Sequence, residues 1–187
     1  MHILLLKNTL YIWQMKGTNT LIIKYAVIIS IFTLIWIVFE QLIGLQDVYV
    51  EWHKLVTNLK LIIPVIGIWL AIREFKMAKM SKFTFQKGFA IGFKITLINS
   101  VLIIPIIYLF YKFINPDWTM NMMEYAKIEA LKAGEDPVKA ADEARSYFSM
   151  TYFMIQSVIE TFIFGTLISS VISFSMKSRG KTKSSWA

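Results

Sequence analysis

Four stretches of the chain stay apolar long enough to cross a lipid bilayer: roughly Lys24–Gly44, Leu55–Ile72, Phe89–Phe113 and Tyr152–Phe174. A helix rising about 1.5 Å per residue needs about 20 mostly apolar residues to cross a hydrocarbon core of about 30 Å. The third stretch is the most complete, almost wholly apolar with Lys94, Asn99 and Pro105 embedded in it. The second is the weakest, because its uninterrupted run is Leu61–Ile72, extended outward through Asn58 and Lys60. A re-entrant segment and a full span are both open there; Lys60 near one end can reach the interface, which favours the span.

After the third stretch, Asn115-Pro116-Asp117-Trp118 signals a turn and an interfacial tryptophan. The pattern beyond it predicts two short helices. One runs over about Met120–Ala133 and is stopped by Gly134; the other runs over about Pro137–Phe148, with Asp136 as N-cap and Pro137 at the first helical position. Met123, Ala126, Ala130 and Ala133 form a small apolar stripe, suited to lying on the bundle or a partner, although an acidic, solvated hairpin is the favoured reading. The expected fold is an all-α membrane protein: four transmembrane helices with an extracytoplasmic helical hairpin between the third and fourth. Residues 1–23 would form an N-terminal cytoplasmic extension, 24–177 the membrane domain and 178–187 a basic cytoplasmic tail.

Composition agrees with lipid as the solvent. Of 187 residues, 56% are hydrophobic, and the mean hydropathy is +0.56, too apolar for an ordinary soluble domain. The net charge of +8 could suggest nucleic acid, but its distribution points elsewhere. Lys7, Lys16 and Lys24 precede the first span; Arg73, Lys76, Lys79, Lys82 and Lys87 join the second to the third; Lys177, Arg179, Lys181 and Lys183 follow the fourth. Among all of these there is one acid, Glu74, whereas the other two connections carry most of the acids. The positive-inside rule then places both termini and the middle loop in the cytoplasm of a multi-pass protein of a bacterial inner membrane. The middle loop interleaves its cations with Phe75, Met77, Met80, Phe83 and Phe85, a pattern suited to anionic headgroups along Arg73–Lys87, and no nucleic-acid partner is expected. There is no cysteine. Met15-Lys16-Gly17 makes a natural alternative start, so Met1–Gln14 reads as a non-native or dispensable extension, which an intact mass including residue 1 would refute.

Polar residues inside the spans are the functional candidates. Glu40 lies roughly 6 Å and Lys60 roughly 7 Å inside their respective outer ends, so an ion pair between them is one reading and separate snorkelling the other. Pro64 and Pro105 each deprive a carbonyl four residues earlier of its donor, reading mainly as kinks. Gly88 and Gly92 form G-x-x-x-G, and Thr96 and Asn99 continue nearly the same face. The fourth span carries Ser157, Thr161, Gly165, Ser169 and Ser173, small residues at every fourth position and a natural close-packing partner for the glycines. Lys94 points away from that face and reads as a snorkelling residue. Gln156 and Glu160 adjoin the stripe, with Glu160 roughly 12 Å below the outer end, at about the level of Asn99. Glu160, Gln156 and Asn99 are therefore either a proton- or ion-responsive site or an interhelical hydrogen-bond network.

Catalytic patterns are missing. The two histidines, His2 and His53, have no zinc-motif companions, and no P-loop or Rossmann glycine pattern occurs. No enzyme activity, metal or cofactor is expected.

Several motifs together resemble a bacterial family of small four-helix membrane proteins catalogued as domain of unknown function 4199. They are Trp36-Ile37-Val38-Phe39-Glu40, Lys82-Phe83-Thr84-Phe85-Gln86-Lys87-Gly88-Phe89-Ala90-Ile91-Gly92, Asn115-Pro116-Asp117, and Tyr152-Phe153-Met154-Ile155-Gln156-Ser157 with Gly165. The resemblance covers about Lys24–Lys177 and implies fold and membrane location but no activity. Two functional classes follow. One is a non-enzymatic bundle acting through lipid, a second copy of itself or another membrane protein; the other is a small transporter or ion-responsive protein centred on Glu160.

Overall fold

The computed structural model describes residues 2–78 and 83–177. Lys79, Lys82 and the expected tail 178–187 lie outside the described residues, as do the side chains of residues 1–16 and of Lys54. All regular elements among the described residues are helical. They are α1 (His2–Leu42), α2 (Val50–Val56), α3 (Ile62–Ala78), α4 (Phe85–Leu109), α5 (Trp118–Ala133), α6 (Pro137–Tyr147) and α7 (Met150–Met176). A 3-10 turn at Thr57–Leu61 joins α2 to α3, and a π turn at Phe110–Ile114 prolongs α4.

Four segments are long and apolar enough to cross a membrane: Gly17–Leu42, Val50–Ala78, Phe85–Ile114 and Met150–Met176. The weakest stretch is thus longer than its apolar run, because α2 and the 3-10 turn continue it. Pro64 accounts for the tighter winding just before it. With no N–H at Pro64 to bond the carbonyl of Lys60, that carbonyl accepts from Ile62 instead. At the other end of the loop, α4 begins earlier than its apolar run because Thr84 caps it, its hydroxyl oxygen accepting from Lys87 N.

Helix α4 is the hub of the bundle. Half of its apolar window (50%) is buried, against 28% for α1, 22% for the α2–α3 segment and 17% for α7. Its most extensive interface is with α7, and small residues set its closeness. A Cβ on Gly88 would lie 2.9 Å from Ser173 Oγ, one on Gly92 2.5 Å from Ser169 Oγ, and one on Gly165 2.6 Å from the Thr96 side chain. The two helices therefore run antiparallel, with Gly88, Gly92 and Thr96 of α4 opposite Ser173, Ser169 and Gly165 of α7. Ser157 and Thr161, the other members of the stripe, are only half-buried. Lys94 is exposed on a different face of α4.

Two apolar cores flank this zipper. One, toward the loop that joins α3 to α4, packs Tyr25, Ala26 and Ile29 of α1 and Ile68, Ala71 and Ile72 of α3 on Ile91 and Ile95 of α4. The other, at the opposite end, gathers Ile106, Ile107, Phe110 and Tyr111 around Trp118 and Met122. Trp118 is 1% exposed and anchors the α5–α6 pair, with the rings of His53, Phe110, Phe148 and Phe153 around it. Thr119 Oγ1 and Tyr111 Oη both donate to the Phe148 carbonyl, at 2.8 and 2.7 Å.

The pair itself turns at Gly134, whose φ of +73° is left-handed. Asp136 Oδ1 then accepts from Val138 N and Lys139 N at 2.8 and 3.3 Å and opens α6. The expected apolar stripe on α5 is corrected in part. The residues that α5 buries are Trp118, Met122 and Ala130, whereas Met123 and Ala126 are half-buried and Ala133 is exposed. The stripe follows the tryptophan anchor at fourfold spacing instead of the alanine run.

Candidate functional site

At the hairpin end of the bundle, Glu40 closes α1 and is 2% exposed. Its carboxylate accepts from Trp36 Nε1 at 2.7 Å and from Gln46 Nε2 at 3.3 Å. Gln46, itself 2% exposed, also donates to the Ile37 carbonyl. The ion pair expected between Glu40 and Lys60 is not formed: no bridge joins them among the described residues, and both carboxylate oxygens are taken by neutral donors. Equal depth brought the two charges together on paper, but Glu40 turns in toward the α1–α2 turn and Lys60 stays half-exposed.

That turn is clasped to the end of α4 and to α5. Asn115 Nδ2 donates to Asp47 Oδ1 at 3.2 Å and to the Gln46 carbonyl at 3.4 Å; Asn121 Nδ2 reaches the same two acceptors, and Gln41 Nε2 donates to Asp47 Oδ2 at 2.6 Å. One short acidic side chain thus gathers three amides from three elements. A cleft of about 630 Å³ opens beside it, with Glu51, Asp117, Glu124 and Glu129 on its walls. Lys132 also lines it; the Glu129 carboxylate, 2.8 Å away, holds that ammonium above the usual lysine range. In the sequence Asn115 and Asp117 mark a turn and belong to a family motif, and no pattern there joins them to Asn121, Gln46 or Asp47. The available signal was the density of amides around the two turns.

Glu160 lies elsewhere. Its neighbours at the next helical turn and beyond, Ile163, Phe164 and Leu167, are 49%, 43% and 56% exposed, so Glu160 sits on the face of α7 turned away from α4. Gln156 Nε2 donates to Glu160 Oε1 at 2.8 Å and to Tyr147 Oη at 3.0 Å. Tyr147 in turn lines an open cleft of about 700 Å³ together with Asp142, Glu143 and Tyr152. Asn99 does not join this group. It is buried on α4 and accepts from Ser30 Oγ of α1 at 3.2 Å. Glu160 and Asn99 share a depth but lie on opposite sides of the α4–α7 contact, since Gly165 and Ser169, not Glu160, face α4.

The opposite end is basic. Lys24 pairs with Glu74 at 2.9 Å, and Tyr25 Oη donates to the same carboxylate at 2.7 Å. Lys76 Nζ donates to the Met176 carbonyl at 2.9 Å, tying α3 to the last turn of α7. Arg73 and Lys177 lie over the rings of Trp69 and Phe174, cation–aromatic pairs suited to a membrane boundary.

Among the described residues, no group of three or more His, Asp or Glu side chains is placed to hold a metal ion. Neither the curated proteins nor the solved structures hold a significant match to the chain. The model of a family described as a protein of unknown function, DUF4199, matches residues 24–178, which takes in the four apolar spans from Lys24 onward, both polar clusters and the helical pair between them. The chain belongs to that family.

Proposed function

We propose that this protein is a multi-pass protein of a bacterial inner membrane, without catalytic chemistry of its own, that acts through lateral contacts with a membrane partner. Both termini and the α3–α4 loop lie in the cytoplasm, where Arg73, Lys76 and Lys87 meet anionic headgroups, and the α5–α6 hairpin lies outside. The observation that carries the reading is the α7 face around Glu160. An ionisable residue more than two turns inside a span, beside half-exposed apolar neighbours, is costly against lipid and is relieved by a polar partner. Crosslinking and mass spectrometry on native membranes tests it: crosslinks from this chain to a recurrent membrane protein, itself included, are expected. Crosslinks that spread over the abundant membrane proteins in proportion to their amount would defeat it.

The chain Tyr147–Gln156–Glu160 favours a second reading, an ion-responsive or small-transporter function centred on Glu160 and reached from the cleft beside Tyr147. It predicts flux in proteoliposomes that is lost in Glu160→Gln. Flux unchanged by that substitution would exclude Glu160 as its centre.

A further inference from the structure

We infer that His53 is a pH-sensitive latch between α2 and the α5–α6 pair: the neutral imidazole holds the pair in place through Trp118, and a proton on the ring releases it. His53 sits on α2, three residues into the segment that begins at Val50, and is half-buried. Its ring centroid lies 4.9 Å from that of Trp118, the tryptophan that anchors the pair and is itself sealed from solvent. The contact therefore joins a group that titrates near neutral pH to the residue on which the pair is seated.

The surroundings of the ring suit one protonation state. His53 Nδ1 is enclosed and has no hydrogen-bond partner. A neutral imidazole carries its single proton on the other nitrogen and leaves Nδ1 a bare acceptor, whereas an imidazolium carries a proton on both. The second proton thus puts a charged N–H donor where nothing accepts it, a heavier penalty than an unmatched neutral acceptor. Among the described residues, the charged side chains within electrostatic reach of the ring are Glu40 at the end of α1 and Lys60 of the 3-10 turn, and they act in opposite senses. Both Glu40 oxygens already accept, from Trp36 and Gln46. Tyr111, packed in the same core as Trp118, commits its hydroxyl to the Phe148 carbonyl. Glu51 of α2 and Asp117, just before α5, line the acidic cleft. The Trp118 ring face draws a cation, yet it replaces neither the water nor the acceptor that a charged N–H has in solution. An imidazolium satisfies Nδ1 by turning it to water, and in turning it leaves Trp118. Because the released ring takes up the proton more readily than the docked one, release grows as the pH on the hairpin's side of the membrane falls.

The chain has no cysteine and two histidines, so the release and the proton can each be followed in the full chain in lipid nanodiscs. Met122→Cys places a thiol in the core around Trp118, at a position 8% exposed. Met120→Cys, at a position 65% exposed on the same helix, corrects for the pH dependence of the thiol reagent. Between about pH 7.5 and about pH 5.5, labelling of Met122→Cys relative to Met120→Cys is expected to rise about tenfold, the most that one proton gives across the ordinary histidine value of about 6.5. With His53→Phe, which keeps an aromatic ring beside Trp118, the ratio is expected to stay constant. In a His2→Gln background, carbon NMR of labelled histidine follows the remaining ring, which is expected to gain its proton over the same range. A ratio that does not rise, or that rises equally with His53→Phe, overturns the latch, and the second of these assigns the response to the acids of the cleft. A ratio that falls on acidification overturns its sign. A ring that stays neutral while the ratio rises removes His53 as the sensor, a result that holds even where His53→Phe fails to fold.

Discussion

Gly92 of α4 and Ser169 of α7 meet so closely that a Cβ on the glycine would lie 2.5 Å from the serine hydroxyl oxygen and 2.7 Å from its Cβ. That approach holds the largest helix interface of the protein. Gly92→Ala should cost about 1–3 kcal/mol, because neither backbone can yield without loosening the turns on either side. Ser169→Gly in the same chain should restore most of the loss, since the space passes from one helix to the other. Thermal unfolding in detergent, followed by circular dichroism as a double-mutant cycle, measures the coupling. Strictly additive losses would show that the two residues do not share the space.

Glu40 should be worth more than Lys60. Glu40→Ala strands the half-buried Trp36 indole N–H and leaves the buried Gln46 amide only the Ile37 carbonyl, at a cost of about 1–3 kcal/mol for unmade hydrogen bonds. Lys60→Met removes a charge that has no ion-pair partner among the described residues and should change stability by no more than about 0.5 kcal/mol. The same unfolding assay compares them, and equal losses would restore the case for an ion pair.

Asp47 is the single acceptor that joins Gln41, Asn115 and Asn121. Asp47→Ala leaves Asn115 and Asn121 only the Gln46 carbonyl, and should therefore loosen the α1–α2 turn on α5 locally while the packing of α4 on α7 stays intact. Hydrogen exchange should rise several-fold at residues 43–49 and remain unchanged at Gly165–Ser173. Uniformly raised exchange would mean that the clasp supports the whole bundle.

The orientation can be read with an impermeant thiol reagent on single-cysteine variants. Glu135→Cys, at the hairpin turn, should label on intact cells; Gln86→Cys, beside the α3–α4 loop, should label only after the membrane is opened. The reverse pattern would invert the topology.

Most of the fold was legible in residue patterns. Length and apolarity marked all four spans, Gly134 and Asp136 marked the turn and the cap of the α5–α6 pair, and the glycine and serine spacings marked the faces on which α4 and α7 meet. Helical rise converts residue number into height along a helix, and both expected pairings rested on height alone. Azimuth was not legible. Glu40 and Lys60, like Glu160 and Asn99, do not meet. Which side of a helix faces a neighbour depends on all its contacts together, and Asn99 turns to Ser30 of α1 while Glu160 turns outward. The clasp around Asp47 was hidden for a related reason: Gln41 lies near Asp47 in the chain, but Asn115 and Asn121 are 68 and 74 residues away, and only the folded arrangement brings them to one carboxylate.

Glu160 on the outer face of α7 calls for a protein neighbour in the membrane. Native mass spectrometry of the protein released directly from its own membrane, without detergent exchange, measures this most simply. A dominant particle heavier than the 21.7 kDa of one chain by the mass of a further protein, a second copy or another, with or without bound lipid, is the predicted result. A population made up wholly of single chains carrying lipid would contradict it.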